Sequence, residues 1–228
     1  MSSIEILFNY KEAITPEAIS KAIVKFGGSY SNITAKIIHD SELLDKDGKV
    51  FVQCASRILS NFKMTRSGPF HDDCDGTLRD CWKAIGGDLL KINKSVRNSV
   101  RNRGLSRDRY IVELSNSECD RLISEIWLIT KKLLPFTMGK TSYGLVGASK
   151  ILFSVLPEIV LPIDNSQWLE VFQTVDMSDV LHRMVSDIKR WEKITGKRLN
   201  ELDPSEPKRL TTLPSVYNVM AMAARLKD

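Results

Sequence analysis

Tyr143-Gly-Leu-Val-Gly-Ala-Ser-Lys-Ile-Leu-Phe153, followed after Pro157 by Leu161-Pro-Ile-Asp-Asn165, is the stretch on which the fold turns. Gly144 and Gly147 make a turn that feeds straight into a short apolar helix, predicted over 148–156 and stopped by Pro157. Glycine reaches backbone angles closed to other residues and lets the chain approach a ligand closely. The start of a helix leaves backbone N–H groups without partners, and its dipole favours an anion there. Lys150 falls on the first turn, beside Ile151, Leu152 and Phe153, and Asp164 ends the extended apolar run Leu161-Pro-Ile. Donors, an amine and an acid together can hold a phosphate and do chemistry beside it.

Each of these residues also has a plainer reading, and the sequence leaves both open. The glycine turn serves equally well as a joint between two core helices, with Gly147 as N-cap. Lys150 either reaches into solvent or is desolvated. In the second case its pKa falls, and the free amine can attack a sugar C1′ as a nucleophile. Asp164 precedes Asn165-Ser-Gln, a sequence suited to capping a helix as much as to catalysis.

Working outward, helical periodicity dominates. Thr15 caps and Pro16 opens a helix that Gly27-Gly28 ends. Apolar residues from Val50 to Phe62 are spaced for a second, and Thr77 to Asn102 for a third that Gly86-Gly87 are expected to break. Ser115 and Glu118 form a capping box for a helix over 118–134, closed by Pro135. Further helices are expected after Asp164, from a cap at Ser178 to Gly196, and from Pro214 onward. Ile4–Phe8 and Tyr110–Leu114 are the two strand candidates. The expected fold is mostly α, a helical bundle in two subdomains, 1–110 and 111–228.

The chain has 228 residues, with 43% hydrophobic and 27% charged content, which places it among globular proteins able to bury a core without staples. No apolar run is long enough to span a bilayer, and the N-terminus lacks the pattern of a secretory signal. Four scattered cysteines, Cys54, Cys74, Cys81 and Cys119, fit a reduced, cytoplasmic setting better than a disulfide framework. His71-Asp-Asp-Cys74 with Cys81 matches no strong zinc spacing, and His39 and His182 lie far away, so no metal site is assigned. A phosphate-loop lysine motif, a dinucleotide fingerprint and a kinase set are all lacking, and no cofactor is expected.

The net charge of +5 is unevenly spread. From Lys91 to Arg109 the chain reads KINKSVRNSVRNRGLSRDR, seven Lys/Arg against one Asp. Such a block, with Lys94, Arg97, Arg101 and Arg103 at its centre, can neutralise phosphates and steer a polyanion inward. Its serines and asparagines suit backbone contacts as well. A solvated helix face with a polar loop is the alternative.

The order of these features resembles the helix-hairpin-helix DNA glycosylase superfamily, closest to the divergent bacterial proteins with an 8-oxoguanine DNA glycosylase-like fold. Gly144, Gly147, Ser149-Lys150-Ile-Leu-Phe153 and Pro162-Ile-Asp164 carry the likeness, which covers about residues 118–172. The resemblance implies duplex DNA as partner, with Gly144, Gly147 and Ser149 at its phosphates and a flipped, damaged base between helical subdomains. It implies that Asp164 stabilises the developing sugar cation and that Lys150 forms a Schiff base in a base-excision reaction. Tyr143 stands where the family has proline, the turn is one residue longer, and strict alignment places Ser149 at the nucleophile position. The four-cysteine iron–sulfur loop of some members is absent. A binding protein without catalysis is the alternative reading, as is a helical protein-interaction module.

Overall fold

The computed structural model describes residues 4–9, 11–30, 43–139, 144–206, 208, 210 and 212–225, and they are mostly α-helical. The chain enters through a short antiparallel ladder, β1 (Phe8–Asn9) against β2 (Glu12–Ala13). The helices follow as α1 (Pro16–Phe26), α2 (Lys49–Asn61), α3 (Cys74–Arg103), α4 (Tyr110–Glu113), α5 (Asn116–Thr137), α6 (Leu145–Phe153), α7 (Met177–Thr195) and α8 (Leu213–Ala223). Between α6 and α7 the chain winds a π-helical segment, Gln167–Phe172.

Local chemistry sets most of the boundaries. Thr15 accepts from the Ala18 N–H at 3.3 Å and starts α1. Ser115 and Glu118 bond reciprocally at the head of α5, where the box satisfies two otherwise orphaned donors. Asp176, rather than Ser178, caps α7 by accepting from the Ser178 N–H at 2.7 Å. Gly196, at φ 65°, ends that helix in the left-handed conformation.

Four expectations are corrected. Of Ile4–Phe8, Phe8 alone pairs in the ladder. Tyr110–Leu114 is helical at Tyr110–Glu113, because the Glu113 carboxylate reaches back to the Ser106 N–H at 2.7 Å and closes the segment on itself. Gly86-Gly87 do not break α3, which runs unbroken for 30 residues. Two helical glycines cost about 1 kcal/mol each in propensity, and tertiary packing overrides that cost. The Trp82 indole lies in a slot between Gly48 and Gly86, where a Cβ would meet its ring at 2.4 and 2.6 Å. It also packs on Phe51, with centroids 5.2 Å apart. Pro135 sits inside α5, which continues to Thr137.

Helix contacts run across residue 110, the expected seam. α1 packs on α8, α2 on α6 and α3 on α5, each pair crossing that point, and the buried side chains form one continuous cluster. Hydrogen bonds sew the ends together. Trp191 Nε1 donates to the Ile14 carbonyl at 2.8 Å, Ser20 Oγ to the Leu202 carbonyl at 2.9 Å, and the Ile4 N–H to the Val171 carbonyl at 3.1 Å. Among the described residues, no helix is long and apolar enough to cross a membrane.

Candidate functional site

Helices α5 and α6 form a packed hairpin. Residues 140–143, Tyr143 among them, lie outside the described residues. Gly144 adopts φ 79°, where a Cβ would meet Thr137 Oγ1 at 2.8 Å and the Leu134 carbonyl at 3.0 Å. Thr137 Oγ1 donates to the Gly144 carbonyl at 2.7 Å. Gly147 lies against Thr137 and Phe70, which would stand 2.9 and 3.2 Å from an added Cβ. Both glycines are therefore used for close helix packing, and α6 is buried along its whole length. Gly144, Gly147 and Ser149, expected at DNA phosphates, are buried among packed side chains.

Ser149 is spent inside the fold. Its Oγ donates to the Val146 carbonyl at 3.0 Å, lies 3.2 Å from the Ile163 carbonyl, and accepts from the Ile163 N–H at 3.1 Å. That pair of contacts ties the segment 160–164 to α6 and so fixes where Asp164 emerges. The Asp164 N–H donates to Gln167 Oε1 at 2.9 Å, and Asp164 Oδ1 accepts from the Gln167 N–H at 3.0 Å, a reciprocal cap. Gln167 Nε2 reaches Asn218 Oδ1 at 2.8 Å, and Asn218 Nδ2 returns to the Pro162 carbonyl at 3.0 Å. Arg225 pairs with Asp164 Oδ2 at 3.2 Å.

Lys150 is the exceptional group. Only 4% of it is exposed. Its Nζ lies 3.7 Å from Met64 Sδ and 4.8 Å from the centroid of the Phe62 ring, neither of them an anion. Thioether sulfur is a weak acceptor, and an aromatic face offers a cation modest attraction. Burial therefore pushes the amine down from 10.5 to about 8, while the negative charge of Asp164 pulls the other way. Lys150 and Asp164 are thus within electrostatic reach, although the carboxylate is turned to its helix cap and to Arg225.

Met64 and Phe62 arrive from the end of α2 and the turn that follows. Lys63, at φ 58°, reverses the chain between them, and Met64–Arg66 and Gly68–Phe70 complete the cover as short 3-10 turns. The sequence names Phe62 only as a core position and gives no sign of Met64 or Arg225, because each meets the site through the tertiary fold.

The basic block divides. Lys91, Lys94, Arg97 and Arg101 are exposed on α3, and their spacing sets them along one side of the helix. Arg103, also exposed, pairs with Glu118 at 2.6 Å. Arg107 pairs with the buried Glu158 at 3.1 Å, and Arg109 with Glu192 at 2.7 Å. Arg109 also bonds Asn200 at 2.8 Å. The last two hold the 107–110 turn in place and are not offered to a partner. A cleft of about 530 Å3 opens between α3 and α5. Ile92, Tyr110, Leu122 and Ile129 line it together with Lys91 and Glu125, and Lys150 and Asp164 are not part of it. The structure thus brings the amine and the acid into one neighbourhood and leaves the basic stripe on a separate helix.

Among the described residues, no three metal-ligating side chains cluster. His71 Nδ1 bonds Asp72 at 2.7 Å, Asp73 caps α3, and burial pushes the Cys81 thiol up to about 12. Cys54 and Cys119 are buried in the core, and His39 lies outside the described residues. Comparison with known protein families, curated proteins and solved structures found no match in any of the three.

Proposed function

We propose that this chain binds DNA and uses Lys150 as an amine nucleophile toward an electrophilic sugar carbon, the C1′ aldehyde of an abasic site being the reference substrate. The observation that carries this reading is the isolation of the amine. A lysine buried against Phe62 and Met64, with no anion in contact among the described residues, is neutral far more often than a solvated one. With the amine at about 8, roughly a tenth is neutral at pH 7, several hundred times the fraction of an ordinary lysine. The neutral amine adds to the aldehyde carbon, loss of water leaves an imine, and the imine nitrogen takes up a proton from solvent. Met64 covers the amine, so this chemistry requires the Phe62–Phe70 turn to move aside when substrate enters.

DNA is assigned to the exposed stripe of Lys91, Lys94, Arg97 and Arg101, which offers positive charges at helical spacing to a phosphate backbone. A second reading, a DNA-binding protein without catalysis, is favoured by one feature: Asp164 already serves as a helix cap and as the partner of Arg225.

Borohydride trapping on abasic-site duplex separates the two. The hydride reduces the imine carbon and leaves a secondary amine linking protein and DNA. The enzymatic reading expects a cross-link that maps to Lys150 and disappears in Lys150→Met. Salt-dependent binding with no cross-link would leave the non-catalytic reading, with Lys94→Ala and Arg101→Ala each lowering the salt slope by about one. Failure to bind duplex DNA at low salt would overturn both.

A further inference from the structure

Arg225 follows the last turn of α8, and its guanidinium closes a small polar ring over the Asp164 carboxylate. It lies 3.2 Å from Asp164 Oδ2 and donates to Ser166 Oγ at 2.8 Å, while Ser166 Oγ donates to Asp164 Oδ1 at 2.9 Å. Both side chains are about a third exposed, Arg225 at 30% and Asp164 at 35%. The ring therefore stands at the edge of the site, whereas Lys150 is sealed beneath Phe62 and Met64.

Among the described residues, Asp164 is the charged group that acts on Lys150. Helices α2 and α5 pack on α6, and their cations sit at exposed or half-exposed positions, Lys49 and Arg57 on α2, Arg121, Lys131 and Lys132 on α5. Lys63 and Arg66, on the covering turn, are exposed. An uncompensated carboxylate near a buried amine favours the ammonium, which cannot act as a nucleophile. Whatever neutralises Asp164 therefore decides how much neutral amine the pocket contains.

We propose that Arg225 is the positioning residue of this site: it takes up the charge of Asp164, holds the carboxylate at the helix cap, and so keeps Lys150 available as a free amine. This rests on Lys150 being the working group of the site. The C-terminal arginine does not touch the substrate carbon. It acts through Asp164, and its influence ends where Asp164 has no charge.

The test is a mutant cycle read on the isolated full-length protein, without DNA. Lysine ε-carbons are labelled with carbon-13, Lys150 is assigned from its missing signal in Lys150→Met, and its titration midpoint is followed by NMR. Arg225→Gln should raise the midpoint by roughly half a unit, about a threefold loss of neutral amine at pH 7. Arg225→Lys, which retains the charge, should keep the wild-type midpoint. In an Asp164→Asn background, Arg225→Gln should leave the midpoint where Asp164→Asn alone places it. An unchanged or lowered midpoint in Arg225→Gln overturns the proposal, as does an equal shift in both backgrounds, which marks a merely structural effect. Trapping on abasic DNA is a separate readout: a midpoint that moves in a protein that never cross-links leaves the electrostatic control standing and removes the nucleophile reading.

Discussion

Replacing Lys150 with methionine should make the protein more stable, contrary to the usual effect of changing a buried residue. The depression from 10.5 to about 8 means that the folded state holds the ammonium less well than the unfolded chain does. At about 1.4 kcal/mol per unit this costs about 3 kcal/mol wherever both states are protonated. The depressed midpoint already includes the attraction to the Phe62 ring, so Lys150→Met should gain up to about 3 kcal/mol at pH 7. The sign with pH follows from linkage. Below about 8 both states carry the proton and the whole cost is present. Between about 8 and 10.5 the folded state has released it and the unfolded state has not, so wild-type stability rises with pH. By pH 9.5 the advantage of Lys150→Met should shrink by about 2 kcal/mol. Urea denaturation of both proteins at pH 7 and pH 9.5 measures this directly. A variant destabilised at pH 7, or one whose difference from wild type ignores pH, would refute the reasoning.

Other consequences follow from the same neighbourhood. Gly147→Ala should cost about 1–3 kcal/mol by overpacking against Thr137 and Phe70. Gly87→Ala, with nothing within 4 Å of the new Cβ, should be neutral or stabilise by about 0.5–1 kcal/mol; denaturation midpoints of the pair check the contrast. Ser149→Ala should lose about 1–3 kcal/mol, since the buried Ile163 N–H would have no acceptor, and amide exchange at Ile163 should accelerate. Glu118 is lowered from 4.5 to about 2 by its bonds to Arg103 and Ser115. Its contribution is therefore whole above 4.5 and lost as pH falls toward 2, so Glu118→Gln should flatten that part of the acid-denaturation curve.

The parts of the fold that obey local rules were legible in the sequence. Thr15, the Ser115–Glu118 box and Gly196 sit where the chemistry of caps and stops places them. The failures are tertiary. Gly86-Gly87 read as a break, yet Gly86 is where the Trp82 indole rests on its own helix. Tyr110–Leu114 has the Ile-Val content of a strand, and the Ser106–Glu113 contact makes it a turn of helix. For the site, the amine and the acid were identifiable as a chemical pair, but their states were not. Burial of Lys150 depends on Phe62 and Met64, and the charge of Asp164 on Arg225, none of which is near in sequence. Likewise the basic block shows its charge openly but not that Arg103, Arg107 and Arg109 each have a carboxylate at Glu118, Glu158 and Glu192.

The reactivity of the site stands on one property of one atom, the readiness of Lys150 Nζ to give up its proton. Its titration in the wild-type protein tests that without substrate or turnover. A midpoint at about 8 is expected from the desolvated pocket. A midpoint near the ordinary 10.5 would show an amine in free contact with water, and the nucleophile and its control by Arg225 would fall together.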